Sequence, residues 1–332
     1  MGPVIVVRAP NWLGDTVMAL PALHALRVGK PQARIAVVGR WARLLAGQGV
    51  ADLLLDYPGP WAERRRFARA LGDEPADLAL LLPNSFESAL AARRWGARRR
   101  LGFAGDGRGA LLTDALPLPS PRLHQVDEYR LLARAAGVDT PGERPTWRLS
   151  PRAEAEAEVD SLLATAGLGG RARLVGLHPG AAAGPAKRWA ASSYAALADA
   201  LADGGFAPLL LGSAADRAAG AEISASARSR PPSLAGRDRA ELLPHLLSRL
   251  SCLVSGDTGV AHLAAALGVA TVTLFGPTDP RLTAPRSPRA RIVSPGAPCA
   301  PCFRAECPID HLCMQAVTVA AVAQGLREAI SS

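Results

Sequence analysis

The stretch Cys252–Pro280, CLVSGDTGVAHLAAALGVATVTLFGPTDP, decides the fold. It opens on the apolar run CLVS, closes on TVTLFG, and between them carries GVAHLAAALG, a helix-like segment stopped by Gly268. Short apolar runs bounded by glycine read as buried strands, and an Ala/Leu-rich segment ten residues long reads as a helix. Strand, helix, strand is a parallel βαβ unit. Upstream, RLVGLH (173–178), FAPLLLG (206–212) and SLAG (233–236) read as strands. SSYAALADALADG (192–204), DRAAGAEISASA (216–227) and AELLPHLLSRL (240–250) read as helices, the first capped by Ser192 or Ser193 and stopped by Gly204.

The first half repeats the pattern more loosely. VIVVR (4–8), RIAVVG (34–39), DLALLLP (77–83) and RLGF (100–103) read as strands. Thr16 to Arg27 reads as a helix with a start or kink near Pro21. RLHQVDEYRLLARAAGV (122–138) is an amphipathic helix ended by Gly137. Residues 140–151 hold three prolines and little periodicity, the pattern of a linker. No short solenoid repeat interrupts the alternation. The expected class is α/β, with two doubly wound domains, residues 1–150 and 151–316, followed by a final helix in 317–332. Ligands of such sheets bind beyond the carboxyl ends of the strands, where two facing sheets would enclose one cleft.

At 332 residues the chain is long enough for two cores, and 49% apolar with 20% charged residues is a globular balance. No apolar run approaches bilayer length, and MGPVIVVRAP lacks the features of a signal peptide, so a soluble, cytoplasmic protein is expected. The net charge of +9 is uneven: residues 1–150 hold 21 of the 38 Lys and Arg against 14 of the 29 Asp and Glu. Arg64-Arg65-Arg66, Arg93-Arg94 and Arg98-Arg99-Arg100 lie there. Either this half meets an anionic partner or it carries a solvated basic face. Nucleic acid is disfavoured, because aromatics are 5% of the chain and none alternate with the basic runs. Only Lys30 and Lys187 are lysines, so the ammonium in GPAKRW is distinctive.

The unusual residues cluster at the strand ends. SGDTGVAH places Thr258 and Gly259 amides at a helix start with His262 one turn on, a phosphate site if it is not merely a capped helix with a core histidine. HPGAAAGPAKRW adds Lys187 and Arg188, and FGPTDP adds Gly276, Pro277 and Thr278 as a further donor loop. Neither G-x-G-x-x-G after a first strand nor a P-loop occurs, which points away from dehydrogenases and P-loop NTPases and toward sugar-nucleotide chemistry. Asp15, in the first of two Gly-Asp-Thr triplets, reads as a helix cap, a general base, or both. Near the end, Cys299, Cys302, Cys307 and Cys313 with His311 leave open a structural metal or small apolar packing; Cys252 reads as core.

Taken together, NWLGDTVMALPAL, LLPNSFESAL, HPGAAAGPAKRW, LLLGSAADRAAGAEI, SGDTGVAHLAAALGVATVTLFGPTDP and CPIDHLCM resemble the bacterial lipopolysaccharide heptosyltransferases, glycosyltransferase family nine. PNSFESAL and GPAKRW resemble the branch that adds the second heptose. The resemblance implies a GT-B architecture of two Rossmann-like domains facing one cleft, with the last helix packing back on the first domain. It implies an amino-terminal domain for the acceptor, a heptosyl-Kdo₂-lipid A inner core anchored at the inner face of the cytoplasmic membrane. Asn11, Trp12, Asn84, Ser85 and Glu87 would lie on that side, with Asp15 as catalytic base. It implies ADP-L-glycero-D-manno-heptose as donor in the second domain. There Asp257 would hold heptose hydroxyls, Thr258, Gly259, His262 and Lys187 the phosphates, and Asp216 the ribose. Inverting single displacement with no required cofactor or catalytic metal follows from the same resemblance. The cysteine tail varies among members, so the chemistry does not depend on it. Three other readings stay open: the same donor with another acceptor (a first core heptose or a protein), a sugar-nucleotide epimerase, and a non-catalytic nucleotide-sugar binding protein.

Overall fold

A computed structural model describes the chain except residues 1, 60–61, 65–74, 143, 171–172 and 238. Arg65 and Arg66 of the first arginine cluster lie outside the described residues. The chain forms two compact units, Met1–Thr146 and Trp147–Ser332.

The first unit is built on a six-stranded parallel sheet of order β3-β2-β1-β4-β5-β6. Its strands are β1 (Val4–Arg8), β2 (Arg34–Val38), β3 (Leu53–Leu55), β4 (Leu78–Leu81), β5 (Arg99–Phe103) and β6 (Asp114–Leu116). The central strands are continuous apolar runs because helices cover both faces of such a sheet. The helix expected from Thr16 runs instead as two, α1 (Leu13–Met18) and α2 (Leu20–Gly29), jointed at Ala19. Pro21 falls in the first turn of α2, where its missing N–H costs no helical bond. Helices α3 (Phe86–Arg94) and α4 (Gln125–Ala135) follow; Gly137 beyond α4 takes the left-handed backbone (φ 81°) that stops it.

The second unit carries a five-stranded parallel sheet of order β11-β10-β9-β7-β8. Its strands are β7 (Leu174–His178), β8 (Ala207–Leu210), β9 (Cys252–Gly256), β10 (Ala270–Leu274) and β11 (Ala290–Val293). Its helices are α5 (Ala153–Thr165), α6 (Ala191–Asp203), α7 (Arg217–Ser226), α8 (Leu243–Ser248), α9 (Gly259–Ala266), α10 (Pro280–Thr283), α11 (Leu312–Gln315) and α12 (Val319–Ser331). The Cys252–Pro280 unit is β9-α9-β10, as read from sequence.

Several expectations change. Ala190 occupies the cap of α6, so Ser192 and Ser193 sit inside its first turn. SLAG contributes only a single bridge, Ser233 to Leu210. The unit boundary falls before Trp147, whose side chain is buried and whose backbone N–H donates to Ala266 O at 2.8 Å. Where the family resemblance sent the last helix to the first domain, the buried face of α12 joins the second unit's own core. Val322, Leu326 and Ala329 pack there, and Gly325 faces Val272 of β10. Among the described residues no helix is long and apolar enough to cross a membrane.

Candidate active-site residues at the strand ends

In the second unit, three expected residues come together. Lys187 Nζ donates to Asp257 Oδ2 at 2.6 Å, and Thr278 Oγ1 donates to the same oxygen at 2.9 Å. The side chains of Lys187 and Asp257 are 16% and 9% exposed, so the pair attracts more strongly than a surface bridge. Gly256, which ends β9, lies beside the Lys187 backbone: a Cβ there would stand 3.4 Å from the Lys187 carbonyl. The carboxylate is thereby neutralised before any anion arrives.

Beside this cluster α9 begins. Thr258 holds the cap position but makes no side-chain cap bond; its hydroxyl lies 2.8 Å from Ser255 Oγ. Ala261 N bonds to the Thr258 carbonyl at 3.2 Å, and the amides of Gly259 and Val260 before it are the orphan donors of the helix start. His262, one turn in, is 5% exposed, and Arg188 next to Lys187 is exposed.

Three expected residues also have local structural roles. Gly276 is glycine for packing: a Cβ there would meet Met314 Sδ at 2.3 Å and Cys313 Sγ at 3.0 Å. The Pro277 carbonyl accepts from Cys302 N and Phe303 N, which ties the cysteine-bearing segment to this loop. Asp216, expected at ribose, is buried, and its Oδ2 accepts from Ser213 N at 2.9 Å and Ser213 Oγ at 2.7 Å, a capping box on the 3-10 turn Ala214–Asp216 that precedes α7. Cys313 is core, Cys299 and Cys302 are exposed, and all five cysteines are free thiols. Among the described residues no group of three or more His, Cys, Asp and Glu is gathered for a metal ion. The sulfur of Cys313 instead fills space against Gly276.

In the first unit, Asp15 lies within α1, in its first turn; Trp12 takes the cap and makes no side-chain cap bond, so the reading of Asp15 as the cap is set aside. A carboxylate in a first turn is favoured by the helix dipole. Asp15 lies near enough to buried Tyr129 for its charge to help raise that phenol's pKa, behind the larger effect of burial. Trp12 is 55% exposed and Phe86 48%. Ser85 caps α3, accepting from Ser88 N at 3.3 Å.

Sequence reasoning missed the arginines behind these loops. Arg8 is buried, lies 4.1 Å from the Tyr57 ring centre, and donates to the Ala9 carbonyl and to Asn11 Oδ1. Arg64 approaches the same ring at 5.1 Å. Glu87 accepts from the Tyr57 hydroxyl and pairs with Arg64 at 3.3 Å, so it belongs to this stack. Arg108 is fully buried and donates to the carbonyls of Phe103, Pro83 and Ser85, to Ser88 Oγ and to Asn84 Oδ1. Burial pulls its pKa down to about 10, with Asp106 opposing. An arginine ending an apolar strand was the one available signal for Arg8; Arg108, in a glycine-flanked loop, carried none.

The comparisons with known proteins fit this arrangement. Residues 64–313 match glycosyltransferase family 9 (heptosyltransferase). The chain is 35% identical to the lipopolysaccharide heptosyltransferase 2 of Salmonella typhimurium and 34% to that of Escherichia coli, each over 87% of both chains. Among solved structures, that of the E. coli ADP-heptose LPS heptosyltransferase II matches at TM-score 0.81 and 29% identity, covering 98% of both chains. The GT-B fold expected from the resemblance is thereby borne out. The chain belongs to glycosyltransferase family 9, and it is a glycosyltransferase.

Proposed function

We propose that this enzyme transfers L-glycero-D-manno-heptose from ADP-heptose to the heptosyl-Kdo₂-lipid A inner core, with inversion, at the cytoplasmic face of the inner membrane. The observation that carries the donor half is the cluster of Lys187, Asp257 and Thr278 beside the α9 start. An ammonium that already neutralises a carboxylate lets a diphosphate approach without repulsion, while the free Asp257 oxygen remains able to accept sugar hydroxyls. The relatives named lipopolysaccharide heptosyltransferase 2 support the choice of sugar and acceptor. The basic bias of the first half suits an anionic, lipid-anchored partner.

In this mechanism Asp15 takes the proton of the acceptor hydroxyl as its oxygen bonds to the anomeric carbon. The bond from that carbon to the diphosphate breaks on the opposite face, which inverts the centre, and ADP leaves. Lys187 and the α9 amides stabilise the charge that grows on the departing phosphate. The chain's own residues supply base and cation, so the reading needs no cofactor.

The test is incubation with ADP-heptose and heptose-terminated inner core, followed by mass spectrometry of the lipid. A product heavier by one heptose is expected; transfer only to an acceptor without heptose, or to protein, would reassign the acceptor. Epimerised donor without transfer would overturn the reading.

A further inference from the structure

Two buried arginines of the first unit each grip the amide oxygen of an asparagine. Arg8, ending β1, donates to Asn11 Oδ1 at 2.7 Å, and Arg108 donates to Asn84 Oδ1 at 3.3 Å. Strands β1 and β4 are neighbours with Arg8 opposite Leu81. Each asparagine therefore stands three residues beyond that pair, on strands about 4.8 Å apart. A guanidinium offers only donors. It turns each carboxamide one way round, with oxygen toward the arginine and the NH₂ group away from it. Among the described residues neither NH₂ group meets an acceptor, and Asn11 is exposed while Asn84 is half-buried.

The charge behind these amides is not cancelled at contact. The hydrogen-bond partners of Arg108 are carbonyl, hydroxyl and amide oxygens, and Arg8 Nε has no partner. The carboxylate nearest in effect to Arg8 is Glu87, already shared between Tyr57 and Arg64. Outward N–H donors backed by buried positive charge suit an anionic oxygen.

We propose that Asn11 and Asn84 are a pair of oriented donors that bind an anionic oxygen group, carboxylate or phosphate, of the saccharide acceptor. Arg8 and Arg108 are their positioning residues. The assignment of the ligand rests on the acceptor reading given above.

Asn84→Ala and Asn84→Asp test it, because they pull stability and binding apart. Both remove the outward donors, so the KM for heptose-terminated inner core rises about tenfold or more in each, with the KM for ADP-heptose unchanged. Their melting temperatures move oppositely. Alanine deprives Arg108 of an acceptor and lowers Tm, whereas aspartate gives it a counter-ion and raises Tm by about a few degrees. An aspartate variant with wild-type acceptor KM would make Asn84 purely structural and overturn the proposal. An aspartate variant that melts below wild type would overturn the orientation by Arg108. Acceptor stripped of phosphate separates the sources: a penalty that persists assigns the carboxylate, and one that vanishes assigns the phosphate. If the wild type transfers no heptose at all, the functional reading fails, while the opposed Tm shifts still report the arginine-held amide.

Discussion

The triplet Gly-Asp-Thr occurs in both units, and the two copies differ by their place against a helix start. Gly14-Asp15-Thr16 lies inside α1, with Asp15 in its first turn and Thr16 Oγ1 bonded back to the Trp12 carbonyl at 2.9 Å. Gly256-Asp257-Thr258 lies before α9, with Thr258 at the cap. A residue inside a helix projects from its side, where backbone geometry fixes it. A residue before the cap is in a loop, free to reach a distant partner, and Asp257 reaches Lys187, 70 positions away in sequence. The same letters thus give a carboxylate held by a helix in one unit and an ion pair in the other. The proposed roles, base and phosphate-cation partner, follow from that difference.

Asparagine at each aspartate breaks the comparison most sharply. Asp15→Asn is nearly isosteric and makes no new demand on α1. Turnover should fall about 10²–10⁴-fold, with ADP affinity and Tm almost unchanged, because only proton acceptance is lost. Steady-state rates beside an ADP titration measure this. Normal turnover would reduce Asp15 to a favourable first-turn charge, and with Glu87 already shared by Tyr57 and Arg64 the base would have to be sought afresh.

The second copy should answer differently. Lys187→Ala should cost on the order of 3–4 kcal/mol of transition-state stabilisation if the ammonium acts on the leaving diphosphate. Lys187→Arg should recover only part. Asp257→Asn should instead act on the resting protein. It leaves a largely buried ammonium without its carboxylate, so the ligand-free Tm should drop. The rise in Tm caused by ADP should grow, since phosphate then supplies the missing counter-ion. Thermal melts with and without ADP decide it; an unchanged increment would show that phosphate does not reach Lys187.

The parallel strands and the β9-α9-β10 unit were legible because each is a local pattern of apolar runs and glycine stops. Edge strands β3, β6 and β11 were not, being three or four residues long and only partly buried. The same division holds for the site. Lys187 stood out as one of two lysines and Asp257 by its glycine-bounded loop, yet their pairing is a long-range fact that spacing does not encode. Arg108 was invisible because burial of a charged side chain depends on five oxygens brought by two other stretches of chain, residues 83–88 and Phe103. Gly276 adds a packing role that its sequence context did not show: its neighbours in space are Cys313 and Met314.

The smallest effect asked of the comparison concerns Thr258. Its side chain makes no cap bond, and its hydroxyl lies against Ser255, whose own hydroxyl also donates to the Gly256 carbonyl at 2.9 Å. Thr258 is half-buried. Thr258→Val keeps the shape and the extended backbone, and removes one hydrogen bond, so stability should fall by about 1 kcal/mol or less. The proposed phosphate contact runs through backbone N–H groups of the α9 start, which valine retains. ADP affinity should therefore stay within about twofold of wild type, read by calorimetric titration. A tenfold loss would mean that the hydroxyl itself meets phosphate. Thr258 would then turn from Ser255 toward the ligand on binding, and the phosphate would be met by a hydroxyl as well as by the backbone of the α9 start.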